Sequence, residues 1–255
     1  MLAARGSQPR DNDSNNCELN LPIFYITEFT PSQTQITLDE ETSRHIVQVL
    51  RMKKGDRIHL TEGKGHLLTC TISDDHKKHC TVIVDTATYN EQPVRNTSIG
   101  ISLLKNTSRF EWFLEKATEL GTSSIIPLLC ERTEKERFRH DRMQQICISA
   151  MLQSQQYWMP LLHQPIAFEL LFRQEEIVNT SQKFIAHCEK GADKKHLSFY
   201  SPFENSTLVI IGPEGDFTPD EIKLALDNSF IPVSLGETRL RTETAGITAA
   251  VLLQR

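Results

Sequence analysis

Glycine is scarce in this 255-residue chain, 11 in all, yet Gly212, Gly215, Gly236 and Gly246 fall within its last 44 residues. Two segments carry them: IIGPEGDFTPDEI at residues 210–222 and SLGETRLRTETAG at residues 234–246. Each follows a β-like run and each ends at a helix start. In the first, Pro213 fixes one φ angle while Gly212 and Gly215 permit close backbone approach, with the Glu214 carboxylate between them. Loops at the carboxyl ends of parallel strands are where ligands bind, so this one reads as a ligand cradle or as an ordinary tight turn. In the second segment Arg241 offers a planar, permanently charged fork that can hold a carbonyl oxygen as it gains negative charge. Glu243 can act as a base or orient Arg241. An acid in the first turn of a helix is also favoured by the macrodipole alone, and the two side chains can simply pair on the surface.

Signatures of other chemistries are missing. There is no GxxxxGK[ST] loop and no GxGxxG after a strand, which disfavours common ATPases and dinucleotide enzymes. No His-Glu-x-x-His or clustered His/Cys set suggests a metal, and no GxSxG suggests a serine nucleophile. His140 and His187 read as surface or packing residues. The six cysteines lie without Cys-x-x-Cys spacing, which fits a reducing cytosol, although a Cys70–Cys80 bridge across a hairpin stays open.

The elements that must position these loops fall into two groups. From residue 21 to about 91, the runs IFYIT, TQITL, DRIHLTE, LLTCTIS and CTVIVDTAT alternate with turn residues and predict a small barrel or sandwich. Residues 39–51 break that rhythm, because Ile46, Val47, Val49 and Leu50 recur at helical spacing. After NEQPVRNTS the order becomes strand, helix, strand, helix. A strand is expected at 99–104, then a capping box of Ser108 and Glu111 opening a helix through Leu120 that Gly121 closes. Further strands are expected at 124–129, 183–187 and 207–211, with a long helix from about His140 to Tyr157. Thr218, Pro219 and Glu221 fit N-cap, N1 and N3 of another helix. Such alternation predicts an α/β domain with a parallel sheet over residues 95–255, after a β-rich domain over 21–94.

Composition narrows the class. With 38% hydrophobic and 24% charged residues the chain reads as soluble and globular, and no apolar run is long enough to span a bilayer. Residues 1–20 have neither an apolar stretch nor a cleavage pattern and are expected to be a disordered leader. The net charge of −5 excludes a wholly basic nucleic-acid coat. Charge is uneven, however: Arg44, Arg51, Lys53, Lys54 and Arg57 stand against Asp56 alone, a local +4 with His45 adjacent. That patch suits phosphate contact, or is a solvated helix face and loop. Lys105, Arg109 and Lys116 can extend the track, whereas residues 132–142 are mixed in sign and read as a solvated segment.

Taken together, these segments resemble the bacterial 16S ribosomal RNA uridine N3-methyltransferase family of the SPOUT (α/β-knot) class. The likeness runs from Phe24 onward. HIVQVLRMKKGDRI from His45 resembles the family's PUA-like β-barrel. KATELG from Lys116, the pair Gln153–Ser154, GPEG at Gly212 and LRTETA from Leu240 resemble its catalytic domain.

The resemblance implies S-adenosylmethionine as methyl donor, a trefoil knot, a homodimer with the active site near the subunit interface, and a cytoplasmic protein acting on rRNA of the small ribosomal subunit. Under it, Arg241, Glu243 and Glu214 are the catalytic candidates. The donor would be held by Ile211, Gly212, Pro213, Glu214 and Gly215, together with Leu235, Gly236, Leu240, Thr244 and Ala245. RNA would meet Arg44, His45, Arg51, Lys53, Lys54, Lys105 and Arg109. No metal is expected. A noncatalytic RNA-binding or assembly protein of the same fold is the alternative, as is a SPOUT methyltransferase for another RNA. The chain departs from the family pattern at Thr238, where an Arg is frequent, with Arg239 one place later. It departs also at Gln156, where a basic residue is common, at Ser149, where Glu is common, and at Asp216, where a third Gly is frequent.

Overall fold

The computed structural model describes residues 21–134, 137–189 and 194–254, so the expected leader lies outside the described residues. The chain divides into two compact units, one ending at Asn90 and the other beginning at Glu91.

The first unit is a five-stranded sheet in the order β1-β3-β4-β5-β2, from β1 (Ile23–Tyr25), β2 (Gln35–Thr37), β3 (Arg57–Thr61), β4 (His66–Asp74) and β5 (Thr81–Tyr89). Strand β1 runs parallel to β3, and the other pairs are antiparallel. The hydrogen-bonded path runs from β1 to β2 without closing between them, so among the described residues the expected barrel is an open one. Residues 39–51 form the expected helical stretch. Asp39 caps α1 (Glu40–Arg44) by accepting the Thr42 N–H at 2.8 Å, and the helix widens into a π-helical turn over His45–Val49. Ile46 enters the core beside Ile58, Leu60, Leu68 and Val82, while Val49 and Leu50 face outward. The chain leaves this helix through Arg51 in the left-handed region, φ 58°.

Cys70 and Cys80 are free buried thiols. Cys70 stands opposite Val84 in the ladder, whereas the Cys80 N–H is taken by the Ser43 hydroxyl at 2.9 Å; register therefore forbids the bridge left open above. Burial pushes the two thiols up to about 12 and about 11.

The second unit is an all-parallel sheet in the order β11-β13-β10-β12-β6-β7-β8, with β9 also paired to β7. Its strands are β6 (Asn96–Ser102), β7 (Ser124–Leu129), β8 (Leu161–Leu162), β9 (Ile166–Ala167), β10 (Gln182–Ala186), β11 (Lys195–His196), β12 (Ser206–Ile211) and β13 (Ile231–Ser234). The longer helices are α2 (Thr107–Glu119), α3 (His140–Gln153), α6 (Pro219–Asp227) and α7 (Thr242–Leu253). Two four-residue helices, α4 (Phe168–Leu171) and α5 (Glu175–Val178), lie between β9 and β10. Both faces of the sheet are covered: Ile99, Ile101, Phe113 and Leu253 belong to one apolar cluster, Leu208, Ile210, Phe217 and Ile222 to the other.

One cap differs from expectation. Helix α2 is opened by Asn106, whose Oδ1 accepts the Ser108 N–H at 3.0 Å, and not by a Ser108–Glu111 box. Glu111 is instead held by Arg142 of α3 through two bonds of 2.6 and 2.9 Å. The capping box at Thr218 and Glu221 forms as expected, and α3 ends at Gln153, four residues short of Tyr157. At Gly246 the helix α7 meets α2 so closely that a Cβ would stand 2.6 Å from the Phe113 ring. That glycine of the second motif therefore serves helix packing. Among the described residues no helix is long and apolar enough to cross a membrane.

Candidate functional site

The carboxyl ends of β7, β10, β12 and β13 release the loops that build the site. GPEG follows β12, and residues 235–241 follow β13; the two loops wall a cleft with Ala186 and Cys188 from the end of β10. The cleft has two adjoining hollows of about 240 and 440 Å³ that share Ala186, Cys188, Arg239, Leu240 and Ala245. The smaller is lined by Ile211, Gly212, Pro213 and Glu214 together with Arg241. The larger is lined by Leu235 and Gly236 with Thr238 and His187.

The GPEG loop is fixed from several sides. The Asp216 N–H donates to the Pro213 carbonyl at 2.9 Å, closing a turn over residues 213–216. Gly212 lies against Phe217, whose backbone nitrogen a Cβ would approach to 3.0 Å, so the chain folds back here only without a side chain. The Glu221 carboxylate, buried, accepts the Thr218 N–H through Oε2 and the Glu131 N–H through Oε1, at 2.8 and 2.9 Å. One acid thus caps α6 and ties it to the turn after β7. Arg132 in that turn donates to the Gly215 carbonyl at 2.7 Å, and Arg239 donates to the Glu214 carbonyl at 3.2 Å.

Of the sequence-derived candidates, Ile211, Gly212, Pro213, Glu214, Leu240, Arg241 and Ala245 meet in the smaller hollow, and Leu235 and Gly236 join through the larger. Gly215 is exposed and gives its carbonyl to Arg132. Thr244 lines neither hollow, and its carbonyl takes the Thr248 hydroxyl within α7. Glu243 is buried and faces Arg109, so the surface pair of Arg241 with Glu243 is not the one made. Lys105 bonds Glu134 at 2.7 Å; that bond, with smaller help from nearby Glu214, raises its ammonium above the ordinary value.

In the first unit, Arg44 pairs with Glu40 at 2.8 Å and Lys53 with Asp75 at 3.6 Å. His45 packs edge-on to Phe24. Among the described residues Arg51 and Lys54 make no ion pair, which leaves them the open charges of the local +4.

Two residues that build the cleft, one in its wall and one behind the GPEG loop, carried no signal in sequence. Arg132 lay in a stretch of mixed charge, and its bond to Gly215 spans 83 positions. His187, read as packing, is 7% exposed in the wall of the larger hollow, and neither ring nitrogen has a hydrogen-bond partner among the described residues. Burial, with the Lys194 ammonium beside it, depresses its pKa and so favours the neutral ring.

Comparison with known proteins bears on this arrangement. A family profile described as RNA methyltransferase domain matches residues 90–254, and one described as RNA methyltransferase PUA domain matches residues 38–85. The chain is 32% identical over 219 residues to the ribosomal RNA small subunit methyltransferase E of Synechocystis, covering 84% of this chain and 70% of that one. It belongs to the small-subunit rRNA methyltransferase E family.

The Bacillus subtilis enzyme of that name is 28% identical over 244 residues, covering 88% of this chain and 93% of its own. A crystal structure from Porphyromonas gingivalis, described as a probable rRNA-methyltransferase, superposes with TM-score 0.84 at 34% identity over 92% of this chain and 97% of that one. The methyltransferase E of Neisseria gonorrhoeae, solved bound to S-adenosyl methionine, gives TM-score 0.80 at 28% identity over the same shares. The second unit is accordingly a SPOUT (α/β-knot) domain and the first a PUA-like domain.

Within the methyltransferase E family the departures of this chain acquire local reasons. Gln156, where a basic residue is common, donates through Nε2 to the carbonyls of Thr118 and Glu119 at 2.9 and 3.0 Å, capping the end of α2 without charge. Asp216, where Gly is frequent, occupies the left-handed region at φ 64°. Aspartate tolerates that region, and its carboxylate accepts the Cys188 N–H at 2.8 Å, binding the loop to the end of β10. Thr238 is exposed on the larger hollow, and the adjacent Arg239 supplies a guanidinium to the GPEG loop. Ser149 stands exposed on α3 and makes no contact that explains the change.

Proposed function

We propose that this chain methylates N3 of a uridine in the 16S rRNA of the small ribosomal subunit, with S-adenosylmethionine as donor. The observation that carries the reading is the meeting of GPEG and LRTETA side chains, Glu214 and Arg241 among them, in one cleft at the carboxyl ends of parallel strands.

The cleft fits such a donor. Ala186, Leu235, Leu240 and Ala245 give it apolar walls for a purine, while Ile211, Gly212, Pro213 and Gly236 line it with backbone close to the ligand space. When bound, S-adenosylmethionine supplies a methyl group already activated on a sulfonium. The remaining difficulty is uridine N3, which carries a proton at neutral pH and is a poor nucleophile until that proton leaves. Arg241, exposed at the mouth of the smaller hollow, donates to a uracil carbonyl oxygen where charge develops. Glu214, exposed on the same hollow, is the proton acceptor within reach of a substrate. Glu243, buried on Arg109, positions the start of α7 and hence Arg241.

The first unit contributes RNA affinity through Arg51 and Lys54, with Arg44, His45 and Lys53 beside them. Lys105 and Arg109 serve the second unit, Arg109 chiefly through Glu243. The protein works in the cytoplasm as a homodimer. Exposed apolar side chains support the self-association: Val251 on α7, Trp112 on α2, and Phe199 in the 3₁₀ turn Leu197–Tyr200, which packs on α7.

The test is transfer from methyl-labelled S-adenosylmethionine to small subunits from a deletion strain, with nucleoside mass spectrometry of the rRNA. Label in 3-methyluridine of 16S rRNA is expected. Donor binding and RNA binding without label would mean a noncatalytic assembly protein, and label in another RNA a different substrate.

A further inference from the structure

Within the cleft wall, one buried group has no use in the folded chain. His187 follows β10 directly and is 7% exposed, yet Nδ1 and Nε2 both lack partners among the described residues. Buried polar atoms in native proteins are nearly always satisfied, and a lone one costs stability unless something else fills the site. His187 lines the larger hollow, beside Leu235, Leu240 and Ala245. Its neighbours are already occupied: Lys194 Nζ donates to the backbone carbonyls of His187 and Glu189, at 2.7 and 2.8 Å, and the Asp216 carboxylate takes the N–H groups of Cys188 and Phe217.

We propose that His187 is a donor-binding residue that hydrogen-bonds the nucleoside half of the methyl donor, and that its unpartnered nitrogens are held for that purpose. The proposal rests on the donor reading above. Two features select the nucleoside half. A neutral imidazole presents one N–H donor and one acceptor, the pairing offered by an adenine edge or by ribose hydroxyls. The apolar side chains that line the hollow with His187, among them Val233, Leu235, Leu240 and Ala245, suit the face of a purine.

The experiment is calorimetric titration of the full chain with S-adenosylmethionine and with 5′-methylthioadenosine, which keeps the nucleoside and lacks the amino-acid end. His187→Leu and His187→Phe remove both nitrogens, and the ring of Phe preserves shape if Leu disturbs folding. His187→Asn keeps one donor and one acceptor. The apolar variants should lose about tenfold in affinity for both ligands, as for one buried hydrogen bond, and Asn should recover most of it. Melting of the ligand-free apolar variants should be no lower than that of the parent, since an unsatisfied group has been removed. Parent-like affinity in both apolar variants overturns the proposal, as does a loss for S-adenosylmethionine with none for methylthioadenosine. A parent chain that binds neither ligand overturns the donor reading itself.

Discussion

Arg109 Nε stands 3.6 Å from Glu243 Oε1 and joins the first turn of α2 to the first turn of α7. Glu243 is buried, and its other oxygen, Oε2, has no hydrogen-bond partner among the described residues. The pair thus holds together two helices that also pack through Gly246 and Phe113. It removes Glu243 from the role of surface partner to Arg241.

Breaking this pair from one side should be costly. Arg109→Met leaves a buried carboxylate without its cation, and a loss of about 1–3 kcal/mol in urea unfolding is expected. Adding Glu243→Gln in the same chain should recover part of it, since the stranded charge is gone. Simple additivity of the two changes would show that the residues do not interact.

The phosphate patch should resolve into unequal members. Arg44 and Lys53 have carboxylate partners, whereas Arg51 and Lys54 have none among the described residues. Replacing Arg51 and Lys54 by Ala should weaken RNA binding and lower the slope of log K against log salt by roughly 1.5, near the value for two lost phosphate contacts. Donor affinity should not move. If the Arg44/Lys53 pair of substitutions flattens the salt dependence more, the ranking by free charge is wrong.

Much of this arrangement was legible in the sequence where a local rule governs it. The two-residue period of β3 to β5 and the Thr218-Pro219-Glu221 start of α6 follow from side-chain alternation and capping, which need no tertiary knowledge. GPEG and LRTETA were legible because glycine is otherwise rare. The start of α2 was not, because Asn106 and Ser108 are both competent caps and Glu111 is drawn away by Arg142, 31 residues distant. Strands β8 and β9 are two residues each, too short for any period. Arg132 and His187 escaped for a deeper reason: their roles depend on what the fold brings near them, and neither residue type nor spacing encodes that.

Glu111 gives a pH test. The hydrogen bond from Arg142 is the main cause of its depressed carboxyl pKa. A depressed carboxylate stabilises the fold above its unfolded value, near 4.5, and that contribution is lost as pH falls through the lower folded value. The stability difference between the parent and Glu111→Gln should therefore be full at pH 6 and shrink steadily below about pH 4.5. A difference that stays constant down to pH 3 would mean that the pair contributes through shape alone.

Asp216 separates backbone need from side-chain need in the GPEG loop. Alanine must hold the left-handed φ of 64° without the bond to Cys188, so Asp216→Ala should cost about 1–2 kcal/mol. Glycine loses the same bond but accepts that φ freely, so Asp216→Gly should cost less. Equal losses, read by thermal melting, would show that the tie to β10 alone matters.

Arg241→Lys is the sharpest test of the chemistry. Lysine keeps the charge at the mouth of the smaller hollow but loses the planar fork that would align uracil and meet its developing anion. A fall of about a hundredfold in the single-turnover rate is expected, comparable to loss of one transition-state donor. Donor affinity should stay near that of the parent, because the cleft's apolar walls and backbone do not depend on the fork. Since Glu243 already has Arg109, neither Lys nor Ala at position 241 should unfold the start of α7, and melting should be unchanged within experimental error. Parent-like single-turnover rates in both variants would remove Arg241 from the reaction. A loss of donor affinity that precedes any loss of rate would instead make it a wall of the cleft, and Glu214→Gln, which removes the exposed carboxylate proposed to accept the uridine proton, would then be the variant to measure.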